Sequence, residues 1–184
     1  MREIEVKARV NSLENIVAAL EQRGVEVSAP VTQHDRVFGL PGVAGASENS
    51  EPWLRIRTET KGGDSKSYFT LKKSVTNQLD SIEHETVVQD EAETQHIILQ
   101  LGFVPYSDLT KARRKAHVGD IELCLDVVEP LGAFVEAEKL TEDNANYEET
   151  VGELWDLIES LGVSRSDTVT DGYDVLMNKH LGKE

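Results

Sequence analysis

The stretch "REIEVKARV" at residues 2–10 places the strongest constraint on what this chain can fold into. Within it, Glu3, Glu5 and Lys7 alternate with apolar residues. Side chains two positions apart on a strand point to the same side, roughly 7 Å from one another. The chain is therefore expected to begin with a strand that has one apolar face and one face carrying two carboxylates and an ammonium group.

The same alternation recurs along the chain and predicts further strands. Strands are expected at 2–10, 34–40, 53–59, 67–74, 82–89, 111–117, 120–128 and 133–139. The side chains expected to share a polar face within a strand are Arg55 and Arg57; Tyr68, Thr70 and Lys72; Lys111, Arg113 and Lys115; Glu122, Cys124 and Asp126; and Phe134, Glu136 and Glu138. One such strand is explained by an antiparallel sheet with one face in water.

Apolar residues at helical spacing predict four helices, with glycine as the stop signal after three of them. The expected helices run from Ser12 to Arg23, from Asp90 to Gly102, from Asn146 to Gly162 and from Tyr173 to Leu181. Hairpin loops are expected at 40–52 and 60–67, where Gly, Pro and Ser cluster. Three charged segments, "EIE", "EHE" and "EAE", each precede a helix, which indicates a recurring β–α unit.

Length and composition favour a single domain over residues 1–184, since 39% of the residues are hydrophobic. No transmembrane span and no secretory leader is expected, because charge interrupts every apolar run. The single cysteine, Cys124, excludes an internal disulfide framework and is interpreted as a small core residue. These features favour a cytoplasmic location.

The net charge of -15 argues against a broad basic surface for nucleic acid. Such acidity fits either a solubilising surface or a salt-adapted host, in which salt screens the self-repulsion.

The placement of the basic residues is more informative than their number. In a chain this acidic, a solvated sheet face should carry mostly Asp, Glu, Ser and Thr. Six of the 19 basic residues instead lie at alternating strand positions, interleaved with carboxylates: Lys7, Arg55, Arg57, Lys72, Lys111 and Arg113. The set as a whole predicts an α+β fold in which about eight strands close into a barrel with a charged interior, flanked by helices.

A charged interior is costly to desolvate when it is empty, so it predicts a ligand of dense negative charge together with divalent cations. Oxygen ligands without His or Cys select hard cations, which indicates Mg²⁺ or Mn²⁺. Guanidinium and ammonium groups suit phosphate. The five histidines lack zinc spacing, and neither a P-loop nor a Rossmann glycine set occurs.

The opening E-x-E-x-K resembles the signature of the CYTH superfamily, the triphosphate tunnel metalloenzymes. Further family-like pieces follow in order: "QHD", "LRIR", "TLKK", "EHE", "LGF", "KARRK", "LCLDVVEPLGAFVEAE" and "GYDVL". The resemblance covers roughly residues 3–176 and is nearest to the class IV adenylyl cyclase branch and its archaeal relatives. Two positions depart from the family pattern, with Val37 where Tyr is common and Gly172 where Ser is common.

The resemblance implies an eight-stranded antiparallel closed barrel, the triphosphate tunnel, with flanking helices. It implies metal ligation by Glu3, Glu5, Glu136 and Glu138. It implies triphosphate binding by Lys7, Arg55, Arg57, Lys72, Lys111 and Arg113. It implies a catalytic role for Lys7, and for Glu83, Glu85 and Asp126 as tunnel-lining groups that support the first metal or hold a second one.

Two activities follow from the resemblance. In one, the 3′-hydroxyl of ATP attacks the α-phosphate and pyrophosphate leaves. In the other, water attacks a terminal phosphate of tripolyphosphate, thiamine triphosphate or a nucleotide. A third hypothesis, polyphosphate binding without turnover, is disfavoured because anion binding does not need so many carboxylates. A triphosphate is the expected partner, nucleic acid and membrane are not expected, and a homodimer stays open.

Overall fold

The structure is a computed structural model that describes residues 2–42 and 51–183. The strands are β1 Arg2–Val10, β2 Val31–Gly39, β3 Trp53–Lys61, β4 Asp64–Asn77, β5 Asp80–Val88, β6 Val104–Val118, β7 Ile121–Val128 and β8 Gly132–Thr141. The helices are α1 Glu14–Gln22, α2 Glu91–Gln100, α3 Tyr147–Ser160 and α4 Tyr173–His180, with a 3₁₀ turn at Arg165–Asp167.

The eight strands form a closed antiparallel barrel in the order β1-β5-β4-β3-β2-β6-β7-β8. This confirms the predicted α+β fold with a closed eight-stranded barrel. The chain also divides into two compact units, Met1–Val31 with Lys111–Thr170, and Thr32–Thr110 with Asp171–Glu184. We call these unit 1 and unit 2. A single domain over 1–184 stays a prediction.

In unit 1, helices cover one face of the sheet formed by β1, β8, β7 and the second half of β6. Ile4, Leu123 and Val135 on that face are fully buried. They belong to one hydrophobic cluster with Leu154 and Ile158 of α3. These two α3 residues are four positions apart and therefore lie on the same side of the helix. The apolar half of the strand alternation thus packs under α3.

In unit 2, α2 covers the corresponding face of β3 and its neighbours. Ile98 of α2 packs with Leu54 and Ile56 in a second hydrophobic cluster. The helix begins at Asp90, whose side chain accepts a hydrogen bond from the Glu93 N–H at 2.9 Å. This is the N-cap that the D-x-x-E spacing predicts.

All four predicted helices are confirmed, with ends within a few residues of those expected. The three β–α units are confirmed as well, because α1, α2 and α3 directly follow β1, β5 and β8. Each of the three helices is followed by a glycine at positive φ, namely Gly24 (72°), Gly102 (91°) and Gly162 (89°). Glycine is the residue that adopts this left-handed conformation without strain.

One strand prediction and one loop prediction need correction. Strand β6 begins at Val104 and not at 111, because the polar segment before Lys111 resembles a loop by composition but pairs as a strand. The stretch 60–67 is not a loop over its whole length. Residues 60 and 61 lie in β3 and residues 64–67 in β4.

The turn of this hairpin consists only of Gly62 and Gly63, with φ of 60° and 96°. Positive φ at both central residues is what a type I′ hairpin turn requires. Most of the other predicted loop, 40–52, lies outside the described residues. In the described part of the chain, no helix combines the length and apolar character that crossing a membrane requires.

Leu154→Ala should destabilise the protein by about 2–5 kcal/mol, because it removes buried methyl groups and leaves a cavity between α3 and the strands. Urea unfolding followed by circular dichroism measures this change. Leu181→Ala removes the same atoms from a side chain that is 53% exposed, and it should change stability by less than about 0.5 kcal/mol. Equal effects of the two substitutions would contradict the packing of α3.

Candidate functional site

The sheet face of unit 1 opposite α1 and α3 is lined mainly by charged side chains, and we call it the polar face of unit 1. Its members are Glu3, Glu5, Lys7 and Arg9 of β1; Phe134, Glu136 and Glu138 of β8; Glu122, Cys124 and Asp126 of β7; and Lys111, Arg113 and Lys115 of β6. The strand register pairs Glu5 with Glu138 and Lys7 with Glu136. Charged residues on neighbouring strands are therefore brought side by side.

At one end of this face, three carboxylates converge. Oxygens of Glu3, Glu5 and Glu138 lie within 4.8 Å of one another. Burial and the negative charge of Glu3 raise the pKa of Glu138 well above its usual value. Three oxygen ligands at this spacing are the donor set that a hard divalent cation such as Mg²⁺ or Mn²⁺ prefers.

Cys124 is buried, as expected of a small core residue, and it lies on the polar face, as the strand alternation predicts. It is fully buried, and its Sγ lies 3.4 Å from Glu138 Oε1 and 3.7 Å from Glu122 Oε1. Burial raises the pKa of the Cys124 thiol well above its usual value, so the sulfur stays protonated at neutral pH. A protonated thiol is a poor nucleophile, and it acts here as a weak hydrogen-bond donor to carboxylates.

Toward the other end of the polar face, carboxylates and cations form a continuous ion-pair network. Lys7 Nζ lies 3.2 Å from Glu136 Oε1, and Glu136 Oε2 accepts a hydrogen bond from Arg113. Arg113 also donates two hydrogen bonds to the Asp126 carboxylate, at 2.7 and 2.5 Å. Lys111 Nζ lies 3.2 Å from the same carboxylate. Asp126 is 0% exposed, and the other members are nearly as buried.

The network keeps its members ionised despite burial. Burial alone would raise the pKa of Glu136, but Lys7 and Arg113 outweigh it and hold that pKa well below the usual range. Burial likewise opposes the charge of Asp126, yet Arg113 and Lys111 lower its pKa. The pKa of Lys7 is raised because Glu136 and Glu5 outweigh the effect of burial.

The polar face of unit 1 is therefore polarised along its strands. On β1, Glu3 and Glu5 precede Lys7 and Arg9. On β6, Arg113 lies opposite Asp126 and Lys111 lies two residues before it, whereas Lys115 pairs with Glu122. One end of the face presents converging carboxylates, whereas the other presents guanidinium and ammonium groups.

In unit 2, the face opposite α2 carries a second set of predicted residues. Arg57 on β3 donates through Nε and Nη2 to the two carboxylate oxygens of Asp35 on β2, each at 2.7 Å. The register places these two residues directly opposite each other. A paired fork of this kind fixes the plane of the Arg57 guanidinium.

The neighbouring strand pair orients the other cations of unit 2. Thr70 Oγ1 donates to Glu85 Oε2 at 2.8 Å and accepts from Arg55 Nη2 at 3.4 Å. Lys72 forms an ion pair with Glu83, its register partner on β5. Predicted cations and predicted carboxylates of unit 2 are therefore in contact with one another.

The structure separates the four predicted metal ligands into two groups. Glu3, Glu5 and Glu138 lie together in the acidic cluster, whereas Glu136 is held between Lys7 and Arg113. Of the predicted lining residues, Asp126 lies within the ion-pair network, and Glu83 and Glu85 contact the cations of unit 2.

Several residues that hold this arrangement have no role that the sequence predicts. Asp35 fixes Arg57, and Thr70 bridges Arg55 and Glu85. For Asp35 the signal was present in "QHD", but alternation alone does not show which residue lies across the strand. The partner is set by register, which depends on tertiary structure.

Position 172 is one of the two that depart from the family pattern, and the structure explains why glycine is found there. It directly precedes α4, and its N–H donates to Gln78 Oε1 at 2.7 Å. A side chain at this position would collide with the carboxylate of Asp174. The missing Cβ leaves room for that buried carboxylate at the start of the helix.

This chain is similar in sequence to a known protein family and to several named proteins. A sequence profile described as the CYTH domain matches residues 1–173. A protein of Methanocaldococcus jannaschii named "Putative adenylate cyclase MJ0240" is 26% identical over 175 residues, which cover 94% of this chain and 97% of that protein. The adenylate cyclase CyaB of Aeromonas hydrophila is 25% identical over 180 residues, covering 97% of this chain and 90% of the relative.

Solved structures show the same fold. The PH1012 protein of Pyrococcus horikoshii has a TM-score of 0.78 and 29% identity, over 94% of this chain and 97% of that one. A Hippeastrum protein, described as a "putative adenylyl cyclase" with a "dominant" triphosphatase activity, has a TM-score of 0.61 and 17% identity. That match covers 98% of this chain and 95% of the Hippeastrum chain.

Asp126→Asn should destabilise the protein by about 3–5 kcal/mol at neutral pH, because it leaves the buried Arg113 and Lys111 without their shared carboxylate. The folded-state pKa of Asp126 is lowered, so its stabilising contribution is complete above the unfolded value of about 3.9 and is lost as pH falls below it. The stability difference between wild type and variant should therefore be constant above about pH 5 and shrink below about pH 4.

Urea unfolding at a series of pH values measures this difference. Asp156→Asn, which removes the carboxylate of an exposed pair with Arg165, is the matched control and should change little at any pH. A difference for Asp126→Asn that grows toward acid pH would contradict the network.

Proposed function

This chain belongs to the CYTH domain family, and from that premise we propose that it is a divalent-metal-dependent enzyme acting on a triphosphate. The reaction that we propose first is that of a class IV adenylyl cyclase, which converts ATP to cyclic AMP and pyrophosphate. Two relatives that carry adenylate cyclase names over nearly the whole chain support this choice.

One observation carries the proposal. On the polar face of unit 1, a cluster of three carboxylates on β1 and β8 lies on the same face as three cations, Lys7 on β1 and Lys111 and Arg113 on β6. A metal–triphosphate complex presents the complementary pattern, with a cation at one part and oxyanions along the rest. Carboxylates of Glu3, Glu5 and Glu138 would hold Mg²⁺ or Mn²⁺, and Lys7, Lys111 and Arg113 would bind phosphate oxygens.

A divalent cation held by those carboxylates would supply Lewis-acid activation of the attacking hydroxyl or water. The residues of the chain position the rest of the substrate. Arg113 and Lys111 would hold the leaving pyrophosphate and stabilise its developing negative charge. Since both already contact Asp126, they are oriented before substrate arrives and lose little rotational freedom on binding.

Within unit 2, the cations proposed to bind phosphate are Arg55, Arg57 and Lys72. Arg57 keeps a fixed guanidinium plane through Asp35, and Arg55 is oriented by Thr70. Lys72 would act as a compact charge, with Glu83 as its partner before substrate binds. On this proposal Glu83, Glu85 and Asp126 orient the groups that touch the phosphates.

A triphosphatase is the second candidate. The Hippeastrum protein, which shares the fold, is described as having a dominant triphosphatase activity. The same carboxylates and cations serve hydrolysis, because the two reactions differ only in which phosphorus the nucleophile attacks and in whether the nucleophile is a hydroxyl or water. Tripolyphosphate, thiamine triphosphate and nucleoside triphosphates are the candidate substrates.

Purified protein should be offered ATP and tripolyphosphate separately, with Mg²⁺ or with Mn²⁺. We expect cyclic AMP and pyrophosphate from ATP, measured by chromatography. Orthophosphate from tripolyphosphate, with ATP intact, would replace the cyclase by the triphosphatase. Binding of triphosphate with no product from either substrate would leave only a polyphosphate-binding module.

Glu5→Gln should lower metal-dependent turnover at least about 100-fold, because an amide replaces a charged ligand and even residues that only support metal ligands change activity 10–100-fold. The fold should be retained, since Lys7 keeps its contact with Glu136. Turnover against metal concentration, with thermal unfolding in parallel, gives both quantities.

Glu21→Gln, on the exposed side of α1, is the control with the same charge change. It should have wild-type turnover. Unchanged turnover in Glu5→Gln would remove Glu5 from the metal site.

A further inference from the structure

We infer that Arg9 is a further substrate-binding residue, one that holds the terminal phosphate of the triphosphate farthest from the metal-binding carboxylates. This inference rests on the proposed function and specifies which way the triphosphate lies along the polar face of unit 1.

Arg9 extends the alternation of Glu3, Glu5 and Lys7 by one step, so it lies on the polar face. The register pairs it directly with Phe134 on β8. Its guanidinium carbon lies 4.6 Å from the centre of the Phe134 ring, and Nη1 donates to the backbone carbonyl of Leu131. A ring against one side and a carbonyl at one edge fix the guanidinium plane.

Gly132 provides the space for this arrangement. A Cβ added at Gly132 would lie 3.3 Å from Arg9 Nη1, closer than ordinary packing allows. The backbone there also has φ of 109°, which favours glycine over other residues. The turn between β7 and β8 is thus shaped so that the guanidinium fits beside it.

Arg9 differs from the other Lys and Arg residues of the polar face in its charge balance. The four others each lie within ion-pair distance of a carboxylate: Lys7, Lys111, Arg113 and Lys115. Among residues 2–42 and 51–183, Arg9 has a carbonyl and a ring as its contacts, with no carboxylate in ion-pair distance. Its side chain is exposed, so its remaining N–H donors are accessible to an anion.

The position along β1 identifies the part of the substrate. Arg9 lies four residues beyond Glu5, which corresponds to about 13 Å of strand. Lys7 lies between them on the same face. A chain of phosphates held by metal at Glu5 and by Lys7 along its length would bring its far end to Arg9. Three phosphates reach that far more readily than two.

Guanidinium recognises the terminal phosphate better than a bridging one, because a terminal phosphate offers more oxygens and more charge to a planar fork. A purely structural Arg9, packed on Phe134 for burial, would not depend on the number of phosphates in a ligand. Ligand chain length therefore separates a binding role from a packing role.

The test uses calorimetric titration of the full chain, in excess Mg²⁺, with tripolyphosphate and with pyrophosphate. Arg9→Met keeps an apolar stem over Phe134 and removes the charge, and Arg9→Lys keeps the charge and removes the fork. Arg23→Ala, an exposed arginine that contacts Ser160, is the matched control for net charge. Thermal unfolding of every variant checks the fold. The Arg9 substitutions should leave the fold intact, because the side chain is exposed.

We expect Arg9→Met to weaken tripolyphosphate binding at least about tenfold, and pyrophosphate binding less than about threefold. Arg9→Lys should fall between wild type and Arg9→Met, and Arg23→Ala should match wild type. Wild-type affinity of Arg9→Met for tripolyphosphate would overturn the inference, as would an equal loss for the two ligands. If the wild-type protein bound neither ligand, the proposed function would fail and this inference with it.

Discussion

The buried ion-pair network of Lys7, Glu136, Arg113, Asp126 and Lys111 is the constraint on which the candidate site depends. Burying these charges costs several kcal/mol for each ion, and only close pairing with good geometry offsets the cost. The network therefore ties four strands of unit 1 to one another by specific contacts. Removing one member leaves the charge of its partner buried and unpaired, which is strongly destabilising. Substitutions within the network should therefore be poorly tolerated.

The acidic end of the same face is the part that suits a cation. Oxygens of Glu3, Glu5 and Glu138 converge within 4.8 Å, and a divalent ion would offset the repulsion between these carboxylates. Lys7 links the two ends of the face, because its Nζ lies 3.2 Å from Glu136 Oε1 and 3.4 Å from Glu5 Oε1. Phosphate oxygens, in turn, would meet cations whose positions are already fixed. On this proposal, the Lys and Arg side chains replace contacts with protein carboxylates by contacts with phosphate when substrate binds. Little rearrangement of these side chains is needed.

Much of the fold followed from the sequence, because period-two alternation and glycine stops are local signals. The helices, the three β–α units and the closed barrel were all predicted, whereas the first half of β6 was missed because "VPYSDLT" has the composition of a loop. For the candidate site, the residue types on the polar faces were predictable, but their partners were not. Arg9 is an example. The sequence shows its place in the alternation, but it does not show that the side chain contacts Phe134 and Leu131.

The sequence by itself determined which side chains share a face, since alternation along a strand fixes direction without reference to any other strand. It also determined the chemistry of that face, through the choice of Glu, Arg and Lys. Only the tertiary structure decided that Glu138 joins Glu3 and Glu5 while Glu136 joins Lys7 and Arg113. The physical reason is register: on β1, Glu138 lies opposite Glu5 and Glu136 lies opposite Lys7, and these pairings exist only once the strands are side by side.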